Sequence, residues 1–265
     1  MVRRGARRLL TQFRAWDRPA QLGLGLALAL MIVVLVVGRS APDSLFEPAL
    51  AGLLGLLIAA QVIVLWARRG LVTPYTQAQR HYLAGEFEAA CAVLEGLRQA
   101  DKADFRALTL LGNAYRQRGA LAESAAALQD ALALQPNHNF PLYGFGRTLL
   151  VQGRYAEAAA VFERALAAGA PPVAHLDAAE ACYRLGDAAA AREQLAAAGA
   201  VDEAHRQLLR ACLLHWLDGG DPPDAALIQA GIAHWEASAA RFAASPYGEA
   251  LAVDVRWLQA RLEEL

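Results

Sequence analysis

Glycine returns in this chain at a nearly fixed interval. Gly85, Gly119, Gly153 and Gly186 follow one another at a spacing of roughly 34 residues, the length of a helix–turn–helix repeat. The last of the four comes one position early. The segments after the glycines repeat as well. Gly85-Glu-Phe-Glu-Ala-Ala90 and Gly153-Arg-Tyr-Ala-Glu-Ala158 carry alanine at one shared place, which Ser124 and Ala191 fill in the other two units. A period of this length marks a supersecondary unit too small to bury its own apolar face, so successive units must stack in a row. Glycine at the same point of each unit permits a tight turn between two helices.

The unit Phe105–His138 is the clearest. It holds Leu108, Leu111-Gly112, Tyr115, Gly119, Ser124, Leu128, Ala131 and Pro136. In position and type these resemble the tetratricopeptide repeat (TPR), a helix–turn–helix unit of the same period. Gly112 and Ser124 let the two helices cross closely, and Pro136 ends the second. The unit 139–172 follows the pattern through Leu142, Phe145, Gly146, Ala158, Phe162 and Ala165, with Leu149 where tyrosine is usual. Further units start near residues 71 and 172. Pro74 suits a first helical turn. A degenerate fifth (Leu213, Trp216, Gly220, Ala225) continues to about residue 243, with Pro222 and Pro223 where its second helix begins. The resemblance covers about residues 71–220 and implies a right-handed all-α solenoid. Residues 246–265 read as a final amphipathic helix, with a stripe of Ala250, Val253, Trp257, Leu258 and Leu262. Such a helix caps the array.

The first quarter of the chain is different. Apolar residues make up 56% of the whole and charged residues 19%, a skew away from ordinary soluble domains. Much of it comes from two uncharged stretches, 20–38 and 48–66, each as long as a bilayer-spanning helix. The short link between them makes a helical hairpin, the fold expected ahead of the solenoid. Arg3, Arg4, Arg7, Arg8, Arg14 and Arg18 precede the first stretch, and Arg68 and Arg69 follow the second. The link has only Arg39, offset by Asp43 and Glu47. By the positive-inside rule both ends are cytoplasmic, with residues 1–19 as a basic cytoplasmic segment and Trp16 and Trp66 near one interface. No ionisable residue lies within either stretch, so the hairpin reads as a lipid-embedded anchor rather than a channel or pump. Small residues at four-residue spacing (Gly23, Ala27; Ala51, Gly55, Ala59) are expected to pack the hairpin on itself. Lys102 is the only lysine beside 24 arginines, the bias of a GC-rich bacterial genome. The expected location is the cell inner membrane, multi-pass, with the repeats on the cytoplasmic side.

Beyond residue 70 the chain has 16 basic and 23 acidic residues, which argues against nucleic acid as a ligand. No phosphate loop, zinc-protease helix, nucleophile elbow or Cys-x-x-Cys occurs. Cys91, Cys182 and Cys212 fall where the repeat places small core residues. Cys212 with His215 gives only two ligands, so no metal site is expected. No catalytic residue, cofactor or enzymatic activity is expected.

The resemblance implies a binding scaffold, whose groove is lined by the first helix of each hairpin. Carried over from the family, this face takes Tyr75, Gln79 and Tyr82 from the first unit, and Arg106, Thr109, Asn113, Arg116 and Gln117 from the second. The third supplies Phe140, Tyr143, Arg147, Leu150 and Val151; the fourth Val173, Leu176, Glu180, Tyr183 and Arg184. Tyr75, Tyr82, Arg106, Asn113, Arg116, Tyr143, Arg147, Tyr183 and Arg184 are the candidate contacts. Aromatic rings offer apolar area, and guanidiniums hold carboxylates bidentately, which suits a protein or peptide partner. Asn113 matches a family asparagine that holds ligand backbone, while the carboxylate clamp of co-chaperones is not reproduced. The leading expectation is a membrane-anchored adaptor. The alternative is an assembly or regulatory factor for envelope or membrane-complex biogenesis.

Overall fold

The structure, a computed structural model, describes residues 18–38, 46–69 and 73–264, and thirteen helices among them. The basic segment up to residue 17, with Trp16, and the link 39–45 lie outside the described residues, as does the side chain of Trp66. The chain divides into two compact units, Met1–Thr73 and Pro74–Leu265.

The first unit contributes α1 (Arg18–Gly38) and α2 (Phe46–Arg69), which pack on each other. Ala27 is buried, and a Cβ on Gly23 would stand 3.3 Å from Ile63, so the Gly23/Ala27 pair meets α2. The Ala51/Gly55/Ala59 stripe does not do the same. All three are exposed, and Gly55 faces open space. Of the eighteen large apolar side chains described as exposed, twelve lie on these two helices, including Leu22, Leu26, Ile32, Leu54 and Ile58. Among the described residues no helix is long and apolar enough to cross a membrane. The sequence stretches 20–38 and 48–66 fall on α1 and α2.

The second unit is a row of helical hairpins. Its first helices are α3 (Pro74–Leu83), α5 (Phe105–Gln117), α7 (Asn139–Val151), α9 (Val173–Leu185) and α11 (Ala204–Asp218). The second helices are α4 (Phe87–Gln99), α6 (Leu121–Leu134), α8 (Tyr155–Ala167), α10 (Ala188–Ala197) and α12 (Ala225–Arg241), and α13 (Pro246–Glu264) ends the chain. The starts are fixed locally. Asp104, Asp187 and Asp224 accept hydrogen bonds from the amides of Ala107, Ala190 and Leu227, each three residues on. The turn glycines 85, 119, 153 and 186 all have φ between 75° and 87°. In the fifth hairpin the left-handed residue is Gly219, not Gly220.

Within a hairpin the small residues do what the repeat requires. A Cβ on Gly112 would fall 2.5 Å from Leu128 and 3.1 Å from the Ser124 carbonyl oxygen. Ser124 Oγ donates to the Gly112 carbonyl at 2.7 Å, so the crossing is both close and hydrogen-bonded. Apolar cores then follow the row: around Ala78, Leu94 and Leu111, around Leu142, Leu149 and Phe162, and around Leu176, Leu208, Leu213 and Leu258.

The last helix does more than stack on the end. It packs along α12 and against α7, well back in the row. Pro246 at its start lies against the turn after α7, where a Cβ on Gly153 would be 2.7 Å from the proline ring. The Arg241 guanidinium donates to the Gln117 side chain at the end of α5. Buried residues of α13 are Gly248, Leu251, Val255 and Leu258, while Val253, expected on the apolar stripe, is 55% exposed. The helix turns a mixed face inward, because Tyr247 and Asp254 reach polar groups of the repeats.

Candidate functional site

Side chains from α5, α7, α9 and α11 meet α12 and α13 around a cavity of about 80 Å³. It is lined by Arg116, Arg147, Asp177, Glu180, His205 and Arg206, with His234, Trp235, Phe242, Tyr247 and Leu251 closing it. Polar and charged groups dominate the repeat side, and the aromatic and aliphatic closure comes from the C-terminal helices.

Asp177 is the hub. Tyr143 Oη donates to its Oδ2, Arg206 Nη1 lies 3.4 Å from Oδ1, and Arg147 Nε lies 3.9 Å from Oδ2. Burial, then the neighbouring Asp177 charge, pushes the Tyr143 phenol up to about 12. Tyr143 and Asp177 are each the fifth residue of their helix, so one hydrogen bond links equivalent positions of successive repeats. Beside them, Arg184 is 8% exposed and binds the Asp254 carboxylate of α13, with Glu180 Oε1 at 3.6 Å. Its guanidinium also sits 5.8 Å from the Tyr183 ring centroid and 5.9 Å from that of Tyr247. Burial pushes the Glu180 and Asp254 carboxyls up, against the opposing pull of Arg184.

Arg116 stands apart. It is 4% exposed, and its one hydrogen bond is from Nη2 to the neutral Asn113 Oδ1, at 3.2 Å. Its Nε has no partner. Burial, and then the like charge of Arg147, lowers this guanidinium to about 10. His205 and His234 stack at 3.8 Å between α11 and α12, and burial followed by the His234 and Arg206 charges lowers His205 to about 4.

The sequence-derived contacts therefore separate into groups. Arg116 and Arg147 line the cavity, and Asn113 and Tyr143 bind residues that do. Tyr183 stacks on Trp216 at 5.4 Å, and Arg184 is engaged by Asp254. Tyr75 and Tyr82 are half-buried against the core of the first hairpins, with Tyr82 edge-on to Phe87 at 5.4 Å. Arg106 is exposed, its guanidinium 5.6 Å from the Phe105 ring centroid. These last three do not line the cavity.

Asp177 is not among the sequence-derived groove residues, where Leu176 stands in its place. Gly186 directly caps α9, whereas Arg118 and Gln152 intervene before Gly119 and Gly153, so the fourth turn is one residue shorter. Counting from Gly186 selects Leu176, which is fully buried. Counting from the helix starts, evenly spaced at Phe105, Asn139 and Val173, selects Asp177. His205, His234, Tyr247 and Asp254 carry no repeat signal, since they come from the degenerate hairpin and the last helix.

Comparison with known proteins agrees with this architecture. The sequence family described as tetratricopeptide repeat matches residues 75–139 and 143–211, 134 of the 265 positions. Superkiller complex protein 3 of Mus musculus is 30% identical over 98 residues; the match spans 37% of this chain and 6% of that protein. The crystal structure of a thermophilic TPR protein of Thermus thermophilus superposes with a TM-score of 0.50 at 16% identity, covering 71% of this chain and 97% of the other. MamA of Desulfovibrio magneticus gives 0.44 at 20% identity, covering 72% and 93%. The helix pairs, their left-handed turns and the matched segments coincide: this chain belongs to the tetratricopeptide repeat family.

Proposed function

We propose that this protein is a membrane-anchored adaptor that holds a protein partner on the first-helix face of its early repeats. A TPR array is a helical-repeat scaffold, a class that generally serves protein–protein interaction. The observation that carries the placement is the division of that face. From the end of α5 onward α12 and α13 lie across it, whereas Tyr75, Tyr82 and Arg106 lie outside the covered cavity. Among the described residues no carboxylate pairs with Arg106, so its fork is available to an acidic side chain of the partner, with the tyrosines offering apolar area.

The anchor reading is supported by the apolar surface of α1 and α2. Twelve large apolar side chains point outward from one pair of helices, a surface of the kind that lipid or a partner covers. The arginines flanking the pair favour both chain ends, and with them the repeats, on the cytoplasmic side.

Two measurements test this. Ser40→Cys should react with an impermeant maleimide in intact cells, and Glu88→Cys, at an exposed position, only after permeabilisation. The reverse pattern refutes the topology. A photo-crosslinking residue at Tyr82 should capture a partner that one at the exposed Val253 does not, and Arg106→Glu should abolish the capture. Equal capture from both positions moves the binding surface off the early repeats.

A further inference from the structure

The cavity wall holds one guanidinium without a carboxylate partner. Four arginines (Arg116, Arg147, Arg184 and Arg206) surround the cavity or bind its lining, and three of them have carboxylates within ion-pair reach, Glu203 at 3.9 Å from Arg206 among these. Asp177 is shared by Arg147, Arg206 and Tyr143, and Asp254 and Glu180 serve Arg184. Among the described residues no carboxylate forms an ion pair with Arg116, although that side chain is almost wholly removed from solvent and has an unpartnered Nε. A buried charge without a partner costs several kcal/mol, so a fold that keeps one in a cavity wall gains from something that enters the cavity.

We propose that this cavity is a binding site for one small oxyanion of phosphate size, held between the guanidiniums of Arg116 and Arg147. The volume admits it. About 80 Å³ is well above the roughly 10–15 Å³ that a single water needs, and it leaves room for one small tetrahedral oxyanion. Water would leave the charge unbalanced, whereas an oxyanion accepts hydrogen bonds from the guanidinium and balances its charge. Glu180 also lines the cavity, with its Oε1 turned to Arg184 at 3.6 Å. The ligand sits under α12 and α13 in a cavity lined by residues of six helices, so it ties the closing helices to the repeats. The site is separate from the surface assigned to the protein partner and does not depend on that assignment.

The test is calorimetric titration of the full-length protein in detergent with inorganic phosphate, sulfate, acetate and glycerol phosphate, at ionic strength held constant with sodium chloride. Phosphate or sulfate should bind saturably with one site per chain. Arg116→Met should weaken that binding about 10- to 100-fold, the loss of a charge-assisted pair. Arg116→Lys, which keeps the charge and loses the fork, should fall between. Arg147→Gln, at a side chain one-third exposed, should also weaken binding and serves if Arg116→Met does not fold. Binding of phosphate without glycerol phosphate assigns the site to a free ion. Equal binding of both assigns it to a phosphoryl group on a larger molecule, and each result supports the oxyanion chemistry. The absence of saturable binding by wild type, or undiminished binding by Arg116→Met and Arg147→Gln, overturns the proposal.

Discussion

Arg184 and Arg116 occupy the same place in two repeats, each the twelfth residue of its helix and each removed from water. Arg184 meets Asp254, Glu180 and two aromatic rings. Arg116 meets a neutral amide and another arginine, and the Asp177 charge acts on it only from beyond ion-pair distance. The scaffold that positions them is equivalent, so the repeat does not decide how the charge is satisfied. The final helix does. It brings Asp254 to Arg184 and brings no carboxylate to Arg116. A buried arginine is structural where the chain supplies its counter-charge, and it is a place for a ligand where the chain leaves the counter-charge out.

The largest effect belongs to the completed pair. Asp254→Ala leaves a guanidinium that is 8% exposed with Glu180 as its one carboxylate, at 3.6 Å, and should cost about 2–3 kcal/mol of unfolding free energy, measured by urea denaturation. A loss under about 1 kcal/mol, the scale of a surface pair, would mean that α13 is not held by this pair, and the contrast with Arg116 would lose its basis.

The next effect is pH-dependent. His205 has an ordinary pKa of 6.5, which burial and its neighbours lower to about 4. Between these values the unfolded chain binds the proton and the native chain does not, so stability is lost as pH falls through that window. Glu180 and Asp254 run the other way: raised from 4.5 and 3.8, they favour the native state as pH falls towards those values. The histidine loss should amount to about 1–2 kcal/mol after allowance for partial exposure. It should largely vanish in His205→Asn. An unchanged pH slope in that variant would place the titration elsewhere.

The recurring and the non-recurring parts of the array are not equally legible in the sequence. The close crossings at Gly112 and Gly146, the turn glycines and the buried cysteines follow from residue type and spacing, because steric demands recur in every unit. The cavity does not recur. Arg116 and Arg147 can be placed on the first-helix face from the period alone, but not their burial, since what covers them is non-repeating chain from the far end of the sequence. A reading of α13 as an end cap rests on an apolar stripe. The helix instead buries Leu251, Val255 and Leu258 and turns Asp254 inward, a polar group that a hydrophobicity pattern assigns to solvent. Asp177 is hidden by a single residue missing from one turn.

Two smaller effects sharpen the contrast. Tyr143→Phe removes the hydroxyl that links successive repeats through Asp177. Because Arg206 and Arg147 still hold that carboxylate, the cost should be about 1 kcal/mol. Arg116→Met should cost least. In buffer free of oxyanions it replaces an uncompensated buried charge by an apolar chain, an exchange that is often neutral or stabilising. The thermal midpoint should therefore stay level with wild type or rise, whereas Arg184→Met should lower it by leaving Asp254 and Glu180 without their cation. Added phosphate should reverse the order at position 116, stabilising wild type by mass action and leaving the variant behind. If Arg116→Met destabilises the oxyanion-free protein as much as Arg184→Met does, the two arginines are equivalent after all, and Arg116 owes its burial to packing rather than to a ligand.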